Sequence, residues 1–132
     1  MDSKERYEIG MKMRREVLGD AYVDRSLANV DEFMEPFNDI LTEYCWGGSW
    51  GRGVLEKRDR SILNLGMLAA LGRNQEFATH FRGALNNGLS REELREVLIQ
   101  IAVYCGIPAG VEAFRQARAV LAEIDGKSGG DD

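Results

Sequence analysis

A chain of 132 residues fits one domain with a core of its own, and 44% hydrophobic with 30% charged residues is ordinary for a globular protein in water. A net charge of -5, with no basic patch, argues against nucleic acid as a partner. Two cysteines far apart, Cys45 and Cys105, form neither a disulfide framework nor a metal cluster and suit a reducing cytoplasm.

Helical periodicity runs through nearly the whole chain, and no clear strand alternation appears. No signal peptide is read at the N-terminus. The first helix spans residues 3–18 and stops at Gly19. Leu27, Val30, Met34, Phe37, Leu41 and Tyr44 then recur at helical steps, and Pro36 either kinks one helix or starts a second. Residues 46–53, Trp-Gly-Gly-Ser-Trp-Gly-Arg-Gly, break the pattern as a loop. Helix resumes near Leu55 and runs to Leu71. Residues 62–71 are apolar nearly all round, which predicts burial on most sides, but the run is too short to span a bilayer.

A further helix covers residues 74–87 and ends at Gly88. Ser90 and Glu93 form a capping box ahead of the stripe Leu94, Val97, Leu98, Ile101 and Cys105. Gly106-Ile107-Pro108 turns the chain into the last helix. The reading is an all-α, single-domain bundle of about six helices over residues 1–125, with a frayed polar tail at 126–132. It has more apolar faces than such a monomer hides easily, so a homo-oligomer is expected.

Four places can carry chemistry. His80 is the only histidine; Glu76 lies one helical turn before it and Arg73 two turns before it, on the same face. An acid there can orient the imidazole and raise its pKa, which suits general acid–base work. A half-buried histidine beside a surface ion pair fits the same spacing. The loop offers the indoles of Trp46 and Trp50 and the guanidinium of Arg52, as walls and clamp for a small planar anion. A loop pinned into the core by its tryptophans fits equally well. Within it, Gly47-x-Ser49-x-Gly51 lacks the sheet that a serine-hydrolase elbow needs, and that reading is rejected. Tyr104, beside Gly106 and Pro108, is a pocket candidate or a packing residue. Each cysteine reads as apolar filler, and one histidine makes a transition-metal site improbable.

Taken in order, Trp46-Gly47, Trp50, Arg52, Leu55, Arg60, Ala69-Ala70-Leu71-Gly72, His80, Leu85-Asn86-Asn87-Gly88 and Tyr104-Cys105-Gly106-Ile107-Pro108-Ala109 resemble the carboxymuconolactone decarboxylase family. That family belongs to the alkyl hydroperoxidase D-like superfamily, and the resemblance runs from about Arg6 to Glu123. It implies an all-α fold, three or six chains, bacterial cytoplasm and no cofactor. It also implies loss of carbon dioxide from a small dicarboxylate lactone in the protocatechuate branch of aromatic degradation. Thiol peroxidase-like members of the superfamily carry Cys-x-x-Cys-x-x-x-His. Aligned on His80, those cysteines fall on Arg73 and Glu76, and the upstream acid falls on Ser61, so the redox pair is missing here. The expected roles are His80 as general acid or donor to the enolate oxygen, Glu76 orienting it, and Arg52 binding carboxylate. Arg73 is a second carboxylate binder, and Trp46, Trp50 and Tyr104 are walls. A thiol peroxidase and a non-catalytic small-acid-binding module remain as alternatives.

Overall fold

The computed structural model describes residues 2–126. Most of the polar tail read at 126–132 lies outside them; Gly126 itself closes a turn. Among the described residues the chain forms seven α-helices, one π-helical turn and one 3₁₀ turn, with no strand. The helices are α1 (Ser3–Leu18), α2 (Asp20–Ala28), α3 (Glu35–Ile40), α4 (Lys57–Leu71), α5 (Asn74–Asn86), α6 (Arg91–Cys105) and α7 (Ile107–Ile124). The seventh helix arises around Pro36. The Asp31 carboxylate accepts the Met34 backbone N–H at 2.9 Å and makes a turn, and Pro36 then occupies the first turn of α3.

The contacts gather into two compact units, Met1–Arg60 and Ser61–Asp132, so the boundary falls inside α4. Each unit has its own apolar core.

The first unit is built on α1. Asp2 caps it by accepting the Glu5 N–H at 2.8 Å, and Gly19, at φ 90, ends it. Helix α3 runs straight into the π-helical turn Leu41–Gly47, where the Gly48 N–H reaches back five residues to the Glu43 carbonyl at 2.8 Å. This wider turn lies against the α1 backbone. A β-carbon on Gly10 would stand 2.0 Å from the Thr42 carbonyl oxygen, and one on Gly47 would stand 2.3 Å from the Arg6 carbonyl oxygen. Only glycine permits that approach. Val17, Leu18, Val23, Trp46 and Trp50 form the core beside it.

In the second unit, Gly72 (φ 72) and Gly88 (φ 95) end α4 and α5. In each case the next residue's N–H bonds back to the helix, Arg73 to the Leu68 carbonyl and Leu89 to the Ala84 carbonyl. The capping box at Ser90 and Glu93 forms with both bonds at 3.0 Å. Helices α6 and α7 meet where a β-carbon on Gly110 would lie 2.4 Å from the Ala102 β-carbon. Leu65, Phe77, Phe81, Leu94, Leu98 and Val120 belong to the core.

Residues 62–71 depart from expectation. Of α4 only Ser61 and Leu65 are buried, while Leu63, Met67 and Leu71 are 53%, 47% and 71% exposed. One face, marked by Ile62, Leu65, Leu68 and Ala69, packs on the core, and the other apolar face is left open. No helix among the described residues is long and apolar enough to cross a membrane.

Two glycine substitutions separate close approach from mere flexibility. Gly10→Ala is expected to lower unfolding stability by about 2–3 kcal/mol, because backbone has to move to admit the methyl group. Gly66→Ala in α4, with nothing within 4 Å of its β-carbon position, is expected to raise stability by about 0.5–1 kcal/mol. Urea denaturation of the two variants checks both signs.

Candidate active site

Helix α5 carries three of the second unit's candidate residues. Arg73 stands at its N-cap, Glu76 lies in its first turn, and His80 follows one turn later. Arg73 and Glu76 are exposed and His80 is half-buried. The same helix anchors itself through Phe77 and Phe81, each 2% exposed, with ring centroids 6.4 Å apart. These two aromatics fix the rotation of α5, and so they set the depth at which His80 sits.

That depth decides the imidazole's charge. The Nδ1 atom is shut off from solvent. Burial pushes the His80 pKa below its ordinary 6.5, and the Glu76 carboxylate pulls it back only in part. The expected upward pull from the acid is therefore present, and desolvation outweighs it. At neutral pH the ring is uncharged, with one N–H to donate and one lone pair to accept.

A cleft of about 380 Å³ opens beside the start of α5, between the end of α4 and the start of α7. Gly72, Asn74, Phe77, Pro108, Ala109 and Glu112 are among its walls. Glu112 also accepts from Gln116 at 3.0 Å and pairs with Arg115. Neither Asn74 nor Glu112 is among the site candidates read from the sequence. Glu112 falls beside the apolar stripe of α7, and an acid in that place is the signal that it turns toward a groove. Tyr104 is 80% exposed in the last turn of α6 and is not among the walls of this cleft.

The first unit holds the other candidates. Trp46 and Trp50 are 3% and 4% exposed and stack with centroids 5.1 Å apart. Their burial pins the segment into the core, a duty that sequence alone left even with pocket lining. Arg52 ends the 3₁₀ turn Trp50–Arg52, is exposed, and precedes Gly53 at φ 76. Ser49 is exposed and accepts from Arg60 at 3.3 Å, with no strand among the described residues to make it an elbow nucleophile. Both cysteines are free thiols. Among the described residues no three acids, histidines or cysteines cluster as metal ligands.

Residues 35–119 match the carboxymuconolactone decarboxylase family. The 4-carboxymuconolactone decarboxylase of Acinetobacter baylyi is 36% identical over 124 residues, covering 94% of this chain and 92% of the relative. This chain belongs to the carboxymuconolactone decarboxylase family. A nitrosuccinic acid decarboxylase of Metarhizium robertsii is 40% identical over 82% of this chain and 76% of that protein. A 4-carboxymuconolactone decarboxylase sequence from Pseudomonas putida is 47% identical over 47 residues, 36% of this chain and 98% of the relative. These relatives share the name decarboxylase and between them name two different acids, so membership establishes a family of carboxy-lyases.

The buried histidine has a consequence for stability. The unfolded chain takes up a proton near pH 6.5, while the folded protein takes it up only at lower pH. Below 6.5 the unfolded state therefore binds more protons, and stability falls as pH drops. Thermal melts between pH 7 and about 5.5 are expected to show a shallower fall for His80→Gln than for the parent chain. Parallel slopes would mean that the imidazole titrates alike in both states.

Proposed function

We propose that this chain decarboxylates 4-carboxymuconolactone to 3-oxoadipate enol-lactone, in the protocatechuate branch of the β-ketoadipate pathway. The observation that carries the reading is the likeness to the Acinetobacter baylyi enzyme along nearly the full length of both chains. The proposed substrate is a small lactone with two carboxylates. When one leaves as carbon dioxide, the electron pair of the broken C–C bond moves through the ring double bond onto the lactone carbonyl. The resulting dienolate takes a proton on the carbon next to the carbonyl and becomes the enol-lactone. The carbonyl is the electron sink, so the scheme needs no cofactor.

In this scheme His80 serves the oxyanion. A neutral imidazole is better suited to donate its N–H to the developing enolate oxygen than to arrive as a charged acid. Its depressed pKa favours that role over the other one read from the sequence. Glu76 is a positioning residue, acting on the ring from one turn away. Arg52 is the exposed guanidinium of the tryptophan segment and binds the retained carboxylate, with Arg73 as a second candidate. Tyr104 supplies an exposed aromatic surface, and Trp46 and Trp50 hold the backbone that carries Arg52.

A second reading has one observation behind it, the 40% identity to the nitrosuccinic acid decarboxylase. Nitrosuccinic acid is also a dicarboxylate, and its nitro group can receive the electrons that a departing carboxylate leaves. Both readings share one demand, a site that stabilises an internal electron sink. We further propose a cytoplasmic homo-oligomer of three or six chains. The open apolar faces support this, among them Leu63, Met67 and Leu71 on α4 and Phe33, Phe37 and Ile40 around α3.

Turnover measured as carbon dioxide release from each acid separates the readings. Greater kcat/KM on the lactone is expected. His80→Ala is expected to cost about 10²–10⁴-fold in kcat. Arg52→Ala is expected to raise KM about 10–100-fold, and Glu76→Gln to cost less than His80→Ala. Near-normal turnover in both His80→Ala and Arg52→Ala would overturn the site assignment. Light scattering on the eluting protein is expected to give three or six times the 14.8 kDa chain mass, and a monomer would refute the assembly.

A further inference from the structure

Among the described residues, the first unit buries a cation that no acid pairs with. Arg14, on α1, is 4% exposed. One terminal nitrogen donates to the Ser26 hydroxyl on α2 at 2.9 Å, and the other makes a long 3.4 Å bond to the Asn38 side-chain oxygen on α3. Its Nε atom is equally shut off from water and has no hydrogen-bond partner among the described residues. Both partners are neutral. The nearby acids Asp20 and Asp24 pair with the adjacent Arg15 instead. The groups that act on the Arg14 charge are the phenols of Tyr22 and Tyr7, the Cys45 thiol and the like charge of Arg15. A lysine or histidine placed there would shed its proton, whereas a guanidinium keeps its charge. A buried charge without a counter-charge is costly enough that the fold requires some compensation.

We propose that Arg14 is the centre of a binding site for a small carboxylate. A guanidinium keeps one edge, Nε–H with a neighbouring Nη–H, in the plane and spacing that a carboxylate takes with two parallel hydrogen bonds. A single negative charge also balances it, where a doubly charged phosphate would leave net charge in a dry interior. The phenols of Tyr7 and Tyr22 are further donors beside the same centre. The connection between α2 and α3 is the exposed segment nearest in sequence to both partners of the guanidinium. Ser26 and Asn38, the two groups that hold the guanidinium, flank that connection, and its residues 31–34 are exposed. The carboxylate has two possible sources, a free small acid or the substrate's own carboxylate.

Thermal melts of the full chain, with sodium acetate replacing sodium chloride at constant ionic strength above neutral pH, test the site. The midpoint is expected to rise by about 2–4 °C with acetate. Arg14→Met should lose the rise and, in chloride, be at least as stable as the parent, because it removes an uncompensated buried charge. Arg14→Lys puts there an amine that sheds its proton and lacks the planar fork, and it should respond less than the parent. A clamp that only ties three helices together predicts the opposite, a destabilised Arg14→Met. No acetate-specific rise in the parent, an equal rise in Arg14→Met, or an equal rise with inorganic phosphate would overturn the proposal. Should Arg14→Met fail to fold, an undiminished acetate response in Arg14→Lys would do so. Decarboxylation assays distinguish the sources. Acetate that raises KM without changing kcat identifies the substrate's carboxylate as the occupant, and acetate that stabilises without altering KM identifies a free acid.

Discussion

Close backbone approach at glycine is the constraint on which both units rest. In the first, Gly10 and Gly47 let α1 lie directly on the π-helical turn, with backbone oxygens where side chains would otherwise stand. The tight contact leaves Thr42 fully buried, its hydroxyl donating to the Asn38 carbonyl at 2.8 Å, and the tryptophan stack packs beside it. In the second unit Gly110 seats α7 on Ala102 of α6, and Ala113 and Ala117 continue the same slender face into the core. That seating puts Pro108 and Glu112 at the wall of the cleft beside α5. Ordinary side chains at these three glycines would push the helices apart and move every candidate group with them.

Burial then acts on two basic groups with opposite outcomes. His80 can respond to desolvation by releasing its proton, and it does, becoming a neutral donor at neutral pH. Arg14 meets the same penalty and keeps its charge at any working pH, which is the ground for the anion proposed there. One physical term thus bears on both proposals, the donor to an enolate in one unit and the carboxylate receptor in the other.

Much of this was legible in the sequence. The limits of α1, the capping box at Ser90 and Glu93, and the glycine stops at Gly19, Gly72, Gly88 and Gly106 all follow from local chemistry, and local chemistry is what sequence records directly. The ordered residues from Trp46 to Ala109 led to the family. The π-helical turn was not legible, because its cause is a long-range contact between Gly10 and Thr42. The exposure of α4 was missed for a related reason: periodicity reports how apolar a face is and not whether a neighbour covers it. At the site, spacing placed Glu76 beside His80 correctly but could not weigh the carboxylate against burial. Arg14 is one of several charges along α1, and only the packing of α2 and α3 shows that it is enclosed.

The central claim is that the chain breaks one carbon–carbon bond and returns one proton to a dienolate. Product analysis in heavy water tests it most directly. Purified full-length chain acting on authentic 4-carboxymuconolactone should give one carbon dioxide per substrate and an enol-lactone with one deuterium on the carbon next to the carbonyl. Intact substrate, or consumption of substrate with no carbon dioxide released, would contradict the account.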